Sequence, residues 1–290
     1  MIKELFSPAP KEGRPHDLVH VAEGTAIPRI VHQTFMSKDL PAKLQENVDT
    51  IKRLNPGWQH IIHDDNDIKE FIRENYGPGV LSYFERINPR YGAARADLFR
   101  YLLMYKCGGV YLDIKSTCTR PLDQVIRPDD KFILSHWRNK PGEKHEGFGT
   151  SKEVTHIPRG EYQQWHIVAV PGHPFMRAVI ETVLGNIDRY RPWLHGTGGI
   201  GVLRLTGPLT YTLAIQPLLP TAAHRIVDNE TEVGLEYSVY KPGSHRAVYK
   251  TNYSRLTESI IHMSTVNKLP AYLYSFAKKS KHVLFGKQPA

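Results

Sequence analysis

At 290 residues the chain is long enough for one large α/β domain or two small ones, and 40% hydrophobic against 23% charged residues predicts a packed core. It has no run of about 18 apolar residues, so no membrane-spanning helix is expected. A net charge of +9 calls for an anionic partner, either nucleic acid, an anionic membrane surface or a phosphate-bearing substrate.

The chain starts MIKELFSPAPKEGRPHD, which lacks the apolar stretch of a secretory signal. Two cysteines, Cys107 and Cys118, are too few for a disulfide framework or a cysteine zinc site, and a reducing cytoplasm fits them. No zinc-finger, RNA-recognition or helix-turn-helix pattern occurs, which sets nucleic acid aside.

Residues 1–26 are polar and proline-bearing and are expected to form an arm. Residues 28–34, PRIVHQT, predict a short strand ending in His32, Gln33 and Thr34. Helical spacing over 40–54 stops at the turn signal Asn55-Pro56-Gly57. A second strand over 58–63 follows, then N-cap candidates at 64–67 for a helix over 68–75. This alternation predicts a parallel α/β sheet.

Leu98, Tyr101, Leu102 and Tyr105 follow the i, i+3, i+4, i+7 spacing of a buried helix face. Asp97 and Arg100 sit beside it, three residues apart and therefore neighbours. Gly108 caps this helix and Gly109 opens the turn into a strand over 110–114. Alternation would send Val110, Leu112 and Ile114 one way and Tyr111, Asp113 and Lys115 the other. Further strands are predicted over 132–135 and 165–170, and a helix from Phe175. Residues 196–201 satisfy G-x-G-x-x-G, yet follow no clear strand and lack the acid about 20 residues on, and are read as a mobile loop. Residues 269–287 interleave aromatics with Lys278, Lys279, Lys281 and Lys287, which suits an interfacial segment on an anionic leaflet and equally a loosely docked tail.

Ligands of open α/β sheets bind at the carboxyl ends of the strands. Asp113 and Lys115 stand at such an end, joined by the glycine turn to the helix bearing Asp97 and Arg100. Carboxylates accept hydrogen bonds from sugar hydroxyls, and Arg and Lys neutralise phosphate oxygens, so the set suits an anionic, hydroxyl-rich ligand. The same spacing also fits an ordinary i, i+3 ion pair and a solvated strand end, and spacing alone leaves both open.

A resemblance runs through Ile27-Pro28-Arg29-Ile30-Val31-His32-Gln33-Thr34, Arg95-Ala96-Asp97-Leu98-Phe99-Arg100-Tyr101, Gly108-Gly109-Val110-Tyr111-Leu112-Asp113 and Pro121-Leu122-Asp123. Weaker elements are Asn55-Pro56-Gly57-Trp58 and Pro171-Gly172-His173-Pro174. Together they resemble the sugar-binding region of glycosyltransferase family 32, which includes mannosyltransferases and bacterial capsular-polysaccharide glycosyltransferases. The segment is also similar to that of the large clostridial glucosylating toxins.

The resemblance implies a single catalytic α/β domain over 27–268, of the GT-A type, with a Rossmann-like mixed sheet flanked by helices. The arm 1–26 would precede it and a basic aromatic tail, 269–290, would follow. It further implies transfer of a hexosyl unit from a nucleotide sugar, GDP-mannose or a UDP-hexose, to a surface glycan, with retention at the anomeric carbon. Asp97 and Arg100 would then hold the donor sugar, and Asp113 the ribose and the metal-side oxygens. His32, Gln33, Thr34 and Tyr111, with the late His262 and Lys268, would complete the donor site.

The position of Lys115 is normally a second Asp that binds Mn²⁺ or Mg²⁺. A compact cation there can offset charge on the diphosphate leaving group, which predicts a metal-independent or weakly metal-dependent transferase. The alternative keeps a metal on Asp113 and His262, with Lys115 turned to solvent. Trp137, Arg138, Trp165 and His166 are candidates for lining a donor or acceptor pocket, or else core aromatics. The expected partners are a nucleotide sugar, a glycan acceptor and, through the tail, an anionic membrane surface on the cytoplasmic side. Two other readings are a catalytically inactive nucleotide-sugar or glycan-binding relative, and a basic membrane-associated binding protein.

Overall fold

Strand segments rich in valine and isoleucine assemble a six-stranded mixed sheet in the computed structural model, which describes residues 18–240, 253–263 and 265–284. The chain opens with β1 (Ile30–Thr34), α1 (Ala42–Leu54), β2 (Gln59–His63) and α2 (Asp65–Arg86). Leu44, Val48 and Ile51 form the buried stripe of α1, and the Asn55 N–H closes the helix on the carbonyls of Ile51 and Lys52. A capping box starts α2: Asp64 accepts from the Asn66 and Asp67 N–H groups, and Asp67 accepts from the Asp64 N–H. The helical run outlasts its expected end at residue 75, because the chain kinks at Gly77 (φ 73°), just before Pro78, and resumes.

Next come α3 (Gly92–Cys107), β3 (Gly109–Leu112), β4 (Thr117–Cys118), α4 (Leu122–Val125), β5 (Phe132–Ser135) and β6 (His166–Ala169). The remaining elements are α5 (Pro174–Arg189), α6 (Pro192–His195), α7 (Gly198–Leu205), α8 (Pro208–Ile215), β7 (Arg225–Val227), β8 (Leu235–Glu236) and α9 (Thr265–Leu284).

The expected face of α3 is buried, but so are Phe99, Leu103 and Met104 around it. A helix that is apolar all round is an interior helix, and α3 packs against α2, α5 and β3. Gly108 (φ 64°) ends it, with its N–H on the Met104 carbonyl, and β3 starts at the next residue. Gly109 itself has φ 95°, and a Cβ there would lie 2.6 Å from the Ile30 carbonyl oxygen. Gly109→Ala is therefore expected to destabilise the fold by about 2 kcal/mol or more, read as a lower urea midpoint at unchanged slope. A loss below about 0.5 kcal/mol would show that β1 and β3 can part at this point.

The sheet order is β2-β1-β3-β6-β5-β7. β1 is parallel to β2 and β3, and β5 is parallel to β7, while β6 runs antiparallel between β3 and β5. The parallel sheet expected from the strand–helix alternation is thus corrected to a mixed one, as the resemblance implied. The chain between β5 and β6 is a long excursion without a crossover helix, and antiparallel neighbours need none. Tyr111, Phe132, Leu134 and Ile167 face the main helical core, and Val31, Val110, Leu112, Ile133 and Val168 face the opposite layer.

Two further expectations change. Residues 18–26 are not a free arm: Leu18 is buried in the core and the Gly24 N–H donates to the Pro171 carbonyl at 2.8 Å. Residues 196–201 are not a loop but the entry to α7, where Gly198 (φ 64°) lies so close to the Ser254 carbonyl oxygen that a Cβ would come within 2.6 Å of it. Ile261 makes one isolated bridge to Ile87. Cys107 and Cys118 are both free. Among the described residues no helix is long and apolar enough to cross a membrane.

Candidate functional site

The glycine turn brings the second and third turns of α3 against the carboxyl end of β3, and three charged groups meet there. Arg100 is the centre. One guanidinium nitrogen donates to Asp113 Oδ1 at 2.8 Å and to the Gln164 carbonyl at 3.0 Å. The other lies 3.3 Å from Asp97 Oδ1, and Nε donates to the Ala96 carbonyl at 3.3 Å. The guanidinium also stacks 4.7 Å over the Tyr111 ring.

Asp97 is held from two more sides: Gln164 Nε2 donates to it at 3.1 Å and Thr206 Oγ1 at 2.9 Å. Tyr101 orients both of these partners by donating to Gln164 Oε1 and to the Thr206 carbonyl. The side chains of Asp97 and Arg100 are 4% and 7% exposed, whereas that of Asp113 is 23% exposed. Asp113 is thus the member that faces outward.

Burial raises the Asp97 carboxyl to about 6, against the downward pull of Arg100, Thr206 and Gln164. Burial alone would lower the Arg100 guanidinium. It is outweighed by Asp113, Tyr111 and Asp97, which keep it charged. With both acids ionised, the cluster carries one net negative charge.

The end of β1 adds neutral polar groups. Thr34 Oγ1 pairs with the Tyr111 hydroxyl at 3.1 Å, and that hydroxyl reaches Asp113 Oδ1 at 3.3 Å. Gln33 Nε2 donates to the Asp113 carbonyl at 3.3 Å, with His60 on its oxygen at 3.0 Å. His32 lies 3.1 Å from His63 through ring nitrogens. Burial lowers His32 to about 3, and His60 and His63 each to about 4, so these rings are neutral at pH 7.

Lys115 departs from both sequence-derived alternatives. β3 ends at Leu112, and Asp113 starts a turn closed by the Ser116 N–H on its carbonyl at 2.7 Å. The strand alternation therefore lapses before it reaches Lys115. That side chain is buried, and its Nζ donates to the Tyr237 hydroxyl at 2.7 Å. It points neither to solvent nor to Asp113. Tyr237 packs in turn against Trp137 and Trp165. These tryptophans, with the buried His166 on Ser135 at 2.6 Å, read as core aromatics, and Arg138 pairs with Asp228.

His262 and Lys268 are exposed. The His262 N–H bonds to the Arg86 carbonyl, and no hydrogen bond or ion pair among the described residues joins either side chain to Asp113. Four contributors escaped the sequence. Gln164 and Thr206 carry no pattern of their own and arrive from 67 and 109 residues along the chain. Tyr237 and Tyr253 are the others; burial raises the Tyr253 phenol, which lies within electrostatic reach of Asp97, Tyr237, Asp113 and Arg100. A groove of about 500 Å³ between α1 and β4 shares no residue with this cluster, so open volume does not mark it.

Residues 41–133 match the family described as the glycosyltransferase sugar-binding region containing a DXD motif. This shows the resemblance to glycosyltransferase family 32 drawn from the sequence. The chain is 31% identical over 182 residues to mannosyl phosphorylinositol ceramide synthase SUR1 of Saccharomyces cerevisiae, covering 62% of this chain and 41% of that protein. It is 32% identical over 108 residues to inositol phosphoceramide mannosyltransferase 3 of Schizosaccharomyces pombe, covering 37% and 30%. It is 26% identical over 204 residues to the initiation-specific alpha-1,6-mannosyltransferase of Candida albicans, covering 66% and 52%. The chain thus spans about half the length of these relatives, or less. Among solved structures it is similar to the PaToxG glycosyltransferase, with a TM-score of 0.47 at 17% identity over 67% of this chain and 71% of that one.

Proposed function

We propose that the chain transfers a hexosyl unit, with mannose the first donor to test, from a nucleotide sugar to a glycan acceptor with retention of configuration. The convergence of Asp97 and Asp113 on Arg100 at the carboxyl end of β3 carries this reading. The match to a sugar-binding region and the names of the relatives support it.

Asp113 is the less buried of the two acids and accepts hydrogen bonds from the donor. Asp97 Oδ2 accepts only from Thr206 among the described residues and so keeps acceptor capacity for a sugar hydroxyl. Arg100 is a positioning residue: Asp97, Asp113, Ala96 and Gln164 occupy Nε and both terminal nitrogens, leaving little capacity for a phosphate. No cluster side chain is placed as a nucleophile, and the leaving phosphate takes the acceptor's proton at the same face of the sugar.

The described residues do not fit the divalent cation expected of a DXD region. No group of three His, Cys, Asp or Glu among them could hold a metal. One Asp113 oxygen is already committed to Arg100 and Tyr111, and Lys115 stands where a second acid belongs. Mn²⁺ and Mg²⁺ need several oxygen donors, which these residues do not supply. Turnover is expected to persist within about twofold in EDTA; complete loss restored by Mn²⁺ would overturn the metal-independent reading.

The test of the whole reading is release of free nucleotide from GDP-mannose and UDP-hexoses, alongside a thermal-shift screen of the same ligands. Stabilisation by a nucleotide sugar without any release would identify a binding protein instead.

A further inference from the structure

Among the described residues, the last helix presents an apolar face without a partner. On α9, Leu269 is 66% exposed, Tyr272 68%, Leu273 57% and Phe276 62%. These positions follow i, i+3, i+4, i+7, and cover roughly 100° of a helix with 3.6 residues per turn. Four large side chains exposed together on one stripe are a patch rather than scattered surface hydrophobes.

The opposite side of the same helix is anchored. Ala271 is buried, α9 packs on α6, and Lys278 Nζ donates to the Thr197 hydroxyl at 2.7 Å. The apolar stripe is therefore held outward by the fold. Its sequence carries Lys268, Lys278, Lys279 and Lys281 and no acid from residue 265 to 287. Lys268 and Lys279, both exposed, are eleven residues apart, close to three full turns, and so border the stripe along one edge.

We propose that α9 docks this chain on an anionic lipid bilayer, with Leu269, Tyr272, Leu273 and Phe276 inserted at the headgroup boundary and Lys268 and Lys279 on the lipid phosphates. Charge complementarity selects this occupant: a basic rim on a +9 chain favours an anionic surface and disfavours a second copy of itself. The tyrosine in the stripe suits the interface, where its ring is buried and its hydroxyl stays wet. The helix lies on the membrane and does not span it. The proposal is independent of the sugar-transfer reading, and the two can fail separately.

Vesicle co-sedimentation of the full chain tests it, using phosphatidylcholine alone and phosphatidylcholine with about one-third phosphatidylglycerol. Partition is expected only, or at least about tenfold more strongly, on the anionic vesicles, and to fall in high salt as charge is screened. Leu273→Gln with Phe276→Gln should lower it about tenfold or more without changing the melting temperature, since both side chains are exposed. Leu213→Gln, an exposed apolar control on α8, should leave partition unchanged. Failure of the wild-type chain to bind anionic vesicles at low salt, or equal binding by the double variant, would overturn the proposal. A dimer lost in Phe276→Gln, with no vesicle binding, would do the same and assign the face to a second copy.

Discussion

Arg100→Leu is expected to cost about 3–5 kcal/mol of folding stability, among the largest effects of any single substitution in the chain. The guanidinium is paired with both acids of the cluster, and removing it leaves Asp97, 4% exposed, as an uncompensated buried carboxylate. The deficit should depend on pH. Asp97 already has a folded-state pKa of about 6, above its ordinary value of 3.8. A raised carboxyl favours the folded state when protonated. Its contribution is complete below the ordinary value and is lost as the pH rises through about 6. Without Arg100 the carboxyl should rise further, so the variant's deficit should be smaller at pH 5 than at pH 8. Denaturant unfolding at both pH values measures this, and a pH-independent loss under about 1 kcal/mol would contradict the buried-pair assignment. Adding Asp97→Asn to Arg100→Leu should restore part of the loss, because the orphaned charge is then gone.

Asp97→Asn alone is expected to keep the fold and lower kcat/KM by about 10²–10³-fold, the scale of losing one charged contact at a reacting sugar. The wild-type profile of kcat/KM should fall on the acid side with an apparent pKa near 6, where Asp97 becomes neutral. In Asp113→Asn, whose acid is outward-facing, transfer should fall comparably, but the limb near pH 6 should survive because Asp97 still titrates. Activity within about threefold of wild type for Asp97→Asn would remove Asp97 from the site.

Local physics made much of this visible in the sequence. Asn55-Pro56-Gly57 stops α1 where turn chemistry says it should, and Gly108-Gly109 turns α3 into β3 because only glycine tolerates both positive φ values and the contact with Ile30. Asp97, Arg100 and Asp113 were legible because helix spacing and one tight turn bring them together with no help from distant chain. What escaped needed long-range information. The antiparallel insertion of β6, and the arrival of Gln164, Thr206 and Tyr253 at Asp97, depend on packing that leaves no periodic trace. Lys115 is misplaced for a smaller reason: period-two alternation carries to it three residues past the end of β3, through a turn.

The direct step from α3 through Gly108 into β3 also sets where this protein can change length. Asp97 and Asp113 reach the same guanidinium across one helix, one two-glycine turn and one short strand, with no slack between them. One residue inserted within α3 after Asp97 would rotate that acid by about 100° relative to Asp113. One inserted in β3 would move Tyr111 to the other face of the sheet. The chain between β5 and β6 carries no comparable register, since Gln164 meets the cluster only at its far end. Lineages of this fold should therefore hold the 97–113 interval at constant length while the stretch after β5 grows and shrinks.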